Sequence, residues 1–244
     1  MAGRFFIPPS AIDGNSIVIT GDEAHHIGIV MRKRVGELIC LSTGDGLDYY
    51  AEITSVSKAE IRLLLIRTES NQTKPDLSLT AYLGALKGDK LDLAVQKLSE
   101  LGAERVIPVY TKYTVVKDVK TERLRRIALE SAKQCGRADV MQIGEPIHLK
   151  QAIEAFSSHQ RVLFAYECER EHSLRQELGA AAPQSAAIVI GPEGGFAPDE
   201  AEAIVQGGGV AVSLGKRILR AETAAISLAA IVMYEWGEKE DENS

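Results

Sequence analysis

Two glycine-punctuated loops near the C-terminus carry the residues best suited to hold a ligand. The first follows an apolar run at 186–190 and reads Gly191-Pro192-Glu193-Gly194-Gly195-Phe196. The second follows an apolar run at 210–214 and reads Gly215-Lys216-Arg217-Ile218-Leu219-Arg220. Glycines directly after strands let the backbone approach a ligand closely and present its N–H and C=O groups. The two loops together predict a nucleotide-like site built largely from main chain.

Other kinds of site find little support in the sequence. The three cysteines, Cys40, Cys135 and Cys168, lie far apart without a CxxC pair, and the five histidines form no HExxH motif. We therefore predict buried free thiols and no metal ion. A nicotinamide or flavin enzyme is disfavoured because the GxGxxG fingerprint is missing, and no P-loop motif is present either.

The composition is that of an ordinary globular protein. The chain has 244 residues, of which 45% are hydrophobic and 25% charged, a length that allows one large domain or two smaller ones. No apolar run reaches the roughly 18 residues of a membrane span, and the N-terminus lacks the features of a secretory signal. We expect a cytoplasmic protein with no membrane partner.

The charges are unevenly distributed along the chain. The formal net charge is -6, yet residues 111–137 contain eight bases and three acids, whereas residues 235–244 contain five acids and one base. A basic segment of this kind is what binding to a phosphate backbone requires. A solvated helix face explains the same pattern, and charge alone slightly favours that explanation.

The first 70 residues have the pattern of a small β-domain. Short strand-like runs at 16–20, 37–42, 48–56 and 61–68 are separated by turn signals, which favours a small barrel. Residues 23–34 predict one short helix followed by a basic corner at Arg32-Lys33-Arg34. The polar stretch at 71–76 is typical of a linker, so we place one domain at residues 1–72 and a second at 73–244.

The second domain alternates strands with helices. Strand-like runs at 77–85, 106–110, 161–166, 186–190 and 210–214 alternate with helical patterns at 91–101, 121–135 and 198–206. This order predicts an α/β fold with a parallel sheet and helices on both faces. Both glycine loops then lie at the carboxyl ends of strands, where such folds bind ligands.

The last predicted helix, at 222–236, is apolar on nearly all sides before Tyr234. A helix of this kind must be buried all round. We favour burial against both the chain's own sheet and a second subunit. A central core helix within one chain is the alternative.

Several motifs together resemble one family. Besides the two loops, the chain has Arg4-Phe5-Phe6 at its start, a His25-His26 pair followed by Val30-Met31-Arg32, the run QKLSELG at 96–102, and ESAKQCGR at 130–137. The combination resembles the bacterial 16S ribosomal RNA (uracil-N3)-methyltransferase family of the SPOUT class. Small departures from the family pattern, such as Met31 for Leu and Ala221 for Thr, remove neither a glycine nor an arginine.

The resemblance implies a fold, a cofactor and partners. The C-terminal α/β domain is expected to form a deep trefoil knot around S-adenosylmethionine, and the N-terminal domain a PUA-like β-barrel that binds RNA. The implied reaction is methylation of N3 of a specific uridine in 16S rRNA of the small ribosomal subunit. A homodimer packed through the last helix is implied as well.

The resemblance also implies site residues. The expected cofactor-binding set is Gly191, Glu193, Gly194, Gly195, Leu214, Gly215, Ile218, Leu219 and Ala224. Among these, we expect Gly194, Gly195 and Gly215 to allow close approach and positive φ. The expected RNA-binding set is Arg4, His25, His26, Arg32, Arg34, Arg126 and Arg137.

The expected catalytic residues are Arg220, as a cation beside the uracil, and Glu222, as a base for the N3 proton. A first-turn carboxylate that complements the helix N-terminus explains Glu222 equally well.

Two alternative functions remain open. A SPOUT methyltransferase acting on another RNA or atom would share this fold. A non-catalytic RNA-binding or ribosome-assembly protein would have no need of a donor pocket.

Overall fold

The computed structural model describes residues 4–57, 59–169, 172–179 and 181–237. Most of the acidic tail at 235–244 lies outside these described residues. Two compact units divide the chain. The first contains residues 4–74 together with 132–140, and the second contains residues 75–131 and 141–237. The first unit therefore includes a short segment that lies far away in sequence.

The first unit is built on a six-stranded sheet. Its strands are β1 Arg4–Phe6, β2 Ile12–Asp13, β3 Ser16–Thr20, β4 Leu38–Ser42, β5 Leu47–Val56 and β6 Glu60–Ser70. The order is β1-β4-β5-β6-β3-β2, with only the β1–β4 pair parallel. Register shifts interrupt the long β5–β6 ladder at two places, and such irregularities bend strands. The side chains on one face form a single apolar core that includes Ile17, Leu41 and Ile53. The strands agree closely with the predicted runs.

The predicted helix at 23–34 is shorter in the structure. Helix α1, Gly21–His25, continues as a π-helical turn at His26–Val30 and then stops. Arg32 adopts a φ of 54°, in the left-handed region that ends a helix and is uncommon for a residue with a side chain. Glu37 stabilises the corner that follows, because its carboxylate accepts hydrogen bonds from the Arg34 N–H and from Nζ of Lys33, each at 2.8 Å. The basic corner therefore lies outside the helix.

Arg4 holds the segment 132–140 within the first unit. Its guanidinium donates two hydrogen bonds to Asp48, at 2.7 and 2.9 Å, and a third to the carbonyl of Gly136. Burial alone would raise the pKa of Asp48, but hydrogen bonds from Arg4 and Asn71 and the charge of Arg4 hold it below its usual value. Arg4 is thus committed to structure.

The second unit is an α/β fold. Its strands are β7 Ser78–Gly84, β8 Arg105–Tyr110, β9 Gln142–Ile143, β10 Ile147–His148, β11 Arg161–Ala165, β12 Ser185–Ile190 and β13 Val210–Val212. Its helices are α2 Asp89–Glu100, α3 Thr121–Cys135, α4 Leu149–Glu154, α5 Leu174–Leu178, α6 Pro198–Gln206 and α7 Ala221–Trp236. The last residues of α3 belong to the first unit.

All strand pairs of this second sheet are parallel. The order is β10-β8-β7-β12-β11-β13, and β9 also pairs with β8. The central strands β7 and β12 are buried along nearly their whole length, as expected for a sheet covered on both faces. Side chains of α4 and α6 share a core with Tyr82, Phe164 and Val189. Helix α7 packs on α2 and β12. The predicted α/β fold with a parallel sheet is confirmed.

The end of β7 lies very close to the first glycine loop. A Cβ atom on Gly84 would lie 2.3 Å from the backbone nitrogen of Pro192 and 2.7 Å from the backbone carbon of Gly191. Neither contact is tolerable, and both involve backbone that cannot rotate away. Only glycine at position 84 lets the loop after β12 cross the end of β7 at this distance.

We expect Gly84→Ala to lower the free energy of unfolding by about 3 kcal/mol, because the added methyl group must push two backbones apart. Chemical denaturation measures this change. Gly179→Ala is the matched control, since its Cβ would meet only ordinary contacts, the nearest at 3.6 Å. Equal stability of the Gly84→Ala and wild-type proteins would show that the crossing can relax.

Candidate ligand pocket

A cavity of about 390 Å³ opens at the carboxyl ends of β11, β12 and β13. Three chain segments form most of its wall, at 165–167, at 190–193 together with 195–196, and at 213–221. Lys90 and Ala224 complete the lining. The volume lies within the range of small-molecule sites, and the position is the usual one for ligands of parallel sheets.

The first glycine loop is stabilised by its own turn and by one carboxylate. The Gly195 N–H donates to the carbonyl of Pro192 at 2.9 Å, and Gly195 has a φ of 70°. Glu193 Oε1 accepts hydrogen bonds from the Lys87 N–H at 3.1 Å and from Lys90 Nζ at 2.9 Å. Burial opposes the charge of Glu193, but these hydrogen bonds and the charge of Lys90 hold its pKa below the usual value. Glu193 therefore anchors the loop.

The second glycine loop leaves its main chain open. Gly215 has a φ of 113°, and its N–H donates to Ser213 Oγ at 3.3 Å. Within the described residues, the N–H groups at 216–219 make no backbone hydrogen bond. Ile218 is 83% exposed. Such a loop can offer both polar main chain and apolar surface to a ligand.

Three exposed cations, Lys216, Arg217 and Arg220, accompany this loop, and all three line the cavity. The described part of the chain contains no ion-pair partner for any of them.

The predicted cofactor residues converge on this cavity with one exception. Gly191, Glu193, Gly195, Leu214, Gly215, Ile218, Leu219 and Ala224 all line it. Gly194 does not, and its φ is not positive. A Cβ atom there would lie 2.8 Å from the Cβ of Tyr113. Close packing against the protein therefore explains Gly194, whereas Gly195 and Gly215 adopt the predicted positive φ.

The two predicted catalytic residues lie in different environments. Arg220 is exposed and lines the cavity, directly before α7. Glu222 is buried in the first turn of α7 and is not part of the cavity wall. Its Oε2 atom has no hydrogen-bond partner among the described residues. This placement favours the structural explanation of Glu222 over a role as base.

A third wall of the cavity was missed by sequence reasoning. Ala165 ends β11, and Tyr166 and Glu167 follow it; this strand lies between β12 and β13 in the sheet. The sequence predicted the strand at 161–166 but carries no local signal for its position between the two loop-bearing strands. The order of strands in the sheet brings these residues to the site.

The predicted RNA-binding residues divide into exposed and enclosed groups. His25, His26, Arg32, Arg34 and Arg126 are exposed.

Arg4 and Arg137 instead belong to the enclosed group. The Arg4 side chain is 11% exposed and bound to Asp48, and the Arg137 side chain is 3% exposed and paired with Asp139 at 2.5 Å. Their predicted RNA contacts are therefore not supported, because each guanidinium is already satisfied inside the protein.

Ion pairs neutralise most of the basic segment at 111–137. The pairs are Lys112–Asp199, Lys120–Asp118, Arg123 with Asp89 and Asp92, Arg125 with Glu122 and Glu145, Lys133–Glu23, and Arg137–Asp139. Within the described ranges, only Lys117 and Arg126 of its eight bases have no such partner. Most of the local positive charge in the sequence is thus matched by carboxylates, many of them from distant parts of the chain.

The cysteines are free, as predicted, but none is fully buried. Cys40 and Cys135 are half-buried, and Cys168 is exposed. Burial, together with the nearby charge of Asp48, raises the pKa of the Cys40 thiol to about 11. The described residues contain no group of three or more His, Cys, Asp or Glu side chains able to hold a metal ion. No helix in the described ranges is long and apolar enough to cross a membrane.

The matching family models and the similar proteins agree on the kind of protein that this chain resembles. The RNA methyltransferase domain family matches residues 73–233, and the RNA methyltransferase PUA domain family matches residues 19–66. Ribosomal RNA small subunit methyltransferase E of Bacillus subtilis (strain 168) is 34% identical over 231 residues, which cover 89% of each chain. The protein of the same name from Rickettsia conorii is 30% identical over 234 residues, covering 94% of each chain.

A solved structure extends this similarity to three dimensions. Ribosomal RNA small subunit methyltransferase E from Neisseria gonorrhoeae, bound to S-adenosyl methionine, superposes with a TM-score of 0.86 at 27% identity. The match covers 97% of this chain and 99% of that one. The chain described here belongs to the ribosomal RNA small subunit methyltransferase E family.

Proposed function

We propose that this protein transfers a methyl group from S-adenosylmethionine to N3 of a specific uridine in 16S rRNA of the small ribosomal subunit. The observation that carries the proposal is the cavity between two glycine loops, with free cations on its rim, in a chain similar over nearly its full length to enzymes of this family. The relative from Neisseria gonorrhoeae binds the same donor.

The residues around the cavity fit this donor. When bound, S-adenosylmethionine supplies a methyl group that is already activated by its sulfonium. We assign the adenosine part to the open main chain at 214–219 and to Gly191, where backbone groups can read a base edge. Gly195 and Gly215 keep side chains out of the space it needs. The leaving group comes with the donor. The task of the protein is therefore to bind and orient the donor and the acceptor base and to exclude water.

Arg220 is the residue we assign to the acceptor base. N3 of uracil lies on the Watson–Crick edge, which becomes accessible only when the base is unpaired or flipped out of a helix. Removal of the N3 proton leaves negative charge on the uracil ring. A guanidinium at the cavity rim lowers the pKa of that position and stabilises the charge as it develops. Glu222 receives a structural role at the start of α7.

The exposed cations outside the cavity are the proposed contacts to RNA phosphates. Arg32 and Arg34 extend from the corner that Glu37 organises, close in sequence to His25 and His26. Arg126 provides a cation on α3 that has no ion-pair partner among the described residues. Arg4 and Arg137 leave this set because their side chains are satisfied internally.

The last helix is the proposed dimer contact. Helix α7 buries one face against its own unit, but Tyr234 is 85% exposed and Ile231 is 41% exposed. An aromatic and a branched aliphatic side chain on one exposed helix face suit an interface between two copies. We propose a cytoplasmic homodimer that packs through α7.

We also propose the deep trefoil knot of the SPOUT class. The path of the chain supports this knot. After β12 the chain continues to β13, which lies on the far side of β11, and it then returns as α7 to pack on β12.

The decisive experiment transfers labelled methyl from S-adenosylmethionine to undermethylated small ribosomal subunits, followed by nucleoside analysis of the RNA. We expect the label in 3-methyluridine. Label in another nucleoside would show that the protein is a methyltransferase but that N3 of uridine is not its target. Donor binding without any transfer would show that these particles do not contain the RNA substrate, whereas absence of donor binding would favour a non-catalytic RNA-binding protein.

We expect Arg220→Ala to reduce the methylation rate at saturating donor by about 100-fold or more, the usual effect of removing one group that stabilises developing charge. Single-turnover kinetics measures the rate. Arg161→Ala is the control, because Arg161 is an exposed arginine at the opposite end of β11. A rate within twofold of wild type would exclude Arg220 from catalysis.

Replacement of both Arg32 and Arg34 by alanine should weaken RNA binding and flatten its salt dependence. Each lost phosphate contact lowers the slope of log K against log salt concentration by about 0.7 to 0.9. Filter binding at several salt concentrations measures the slope, and donor affinity should stay unchanged. Arg62→Ala, which removes a cation already paired with Glu60, is the control. An unchanged slope in the double variant would show that Arg32 and Arg34 do not contact RNA phosphates.

A further inference from the structure

Glu167 is an exposed residue that lines the cavity proposed to hold the donor. It lies two residues beyond the end of β11, and β11 lies between β12 and β13 in the sheet. The two glycine loops follow those flanking strands. Glu167 is therefore an acidic residue of the cavity wall whose strand lies between the two strands that lead into the glycine loops.

The first glycine loop leaves room for this carboxylate. A Cβ atom on Gly195 would lie 2.6 Å from Oε1 of Glu167 and 3.6 Å from its Cδ. Any side chain at position 195 would therefore displace the carboxylate. The glycine accordingly does more than form a turn, because it also lets Glu167 approach the loop.

Glu167 is the uncommitted carboxylate of this cavity. No hydrogen bond or ion pair joins its side chain to any other residue that the structure describes. Glu193, the other acid of the wall, is bound by Lys87 and Lys90. The unpaired cations of the wall lie on the second loop and at its end, at positions 216, 217 and 220. The cavity thus offers one free negative group together with several free positive ones.

A ligand with charges of both signs complements such a wall. S-adenosylmethionine carries a carboxylate and two positive groups, the sulfonium and the α-ammonium. The cations of the second loop can pair with the carboxylate of the donor. A positive group of the donor then still needs a negative partner. A carboxylate already at the wall can match that charge without first breaking an ion pair of its own.

We propose that Glu167 is a specificity-determining residue whose carboxylate pairs with a positive group of the methyl donor. This inference rests on the proposed function, since it places the donor in this cavity. It assigns to Glu167 the preference for the charged donor over neutral adenosine compounds. Both the sulfonium and the α-ammonium carry the positive charge that this pairing requires. The experiment below distinguishes between them.

The test compares wild type with Glu167→Gln, which keeps the shape of the side chain and removes its charge. Calorimetry measures the binding of three ligands: S-adenosylmethionine, S-adenosylhomocysteine, which lacks the sulfonium, and methylthioadenosine, which lacks both positive groups. Glu154→Gln is the matched control, because it removes one exposed carboxylate from the same unit at a site outside the cavity. Thermal unfolding verifies that both variants are folded.

We expect Glu167→Gln to weaken S-adenosylmethionine binding by about tenfold or more and to leave methylthioadenosine binding within twofold of wild type. An equal loss for S-adenosylhomocysteine identifies the α-ammonium as the partner, and an unchanged value identifies the sulfonium. Equal losses for all three ligands, or no loss for S-adenosylmethionine, would overturn the inference. Failure of the wild-type protein to bind S-adenosylmethionine would overturn the proposed function as well.

Discussion

The crossing of two backbones at Gly84 is the contact on which the pocket depends. The end of β7 and the Gly191-Pro192 peptide approach so closely that no side chain fits between them. This contact determines where the loop after β12 leaves the sheet. Glu193 then accepts hydrogen bonds from the segment just beyond β7, and the Gly195 N–H closes a turn on the carbonyl of Pro192. One steric constraint therefore positions the first wall of the cavity.

Pairing of charges decides which cations remain available. Carboxylates satisfy most of the basic segment at 111–137, whereas the cations of the second glycine loop have no partner among the described residues. Exposed ion pairs contribute little to stability, but they do lower the positive potential that a polyanion encounters. Among the described residues, the cations without an ion-pair partner include those of the second glycine loop, which line the cavity, and Arg32 and Arg34 of the basic corner. These are the places where a phosphate-bearing substrate and a charged donor would meet the protein.

The enclosed charges have a different role. Arg4 joins β1, β5 and the carbonyl of Gly136, so one side chain holds together parts of the first unit that lie 132 residues apart in sequence. Arg137 is similarly satisfied within that unit. In both cases a carboxylate compensates the loss of solvation, and removing one partner alone would leave an uncompensated charge. The family motifs thus contain arginines that are enclosed in the protein as well as arginines that are exposed to solvent.

Local patterns in the amino-acid sequence were sufficient to predict most of the secondary structure. The 3.6-residue period of α3 and α6 and the short apolar runs of β3 and β12 are local patterns, so they predict elements with nearly correct bounds. The rule that ligands bind at carboxyl ends of parallel strands then places the two glycine loops in one site. The very short strands β9 and β10 escaped prediction because two residues carry no periodicity.

Which distant residues meet depends on the folded chain as a whole. Glu167 enters the pocket because β11 lies between β12 and β13, and the order of strands is not a local property of the chain. The burial of Glu222 and the satisfaction of Arg4 and Arg137 likewise depend on partners from other elements. Local periodicity is a property of neighbouring residues, whereas solvation and charge pairing depend on what the folded chain brings within a few ångströms.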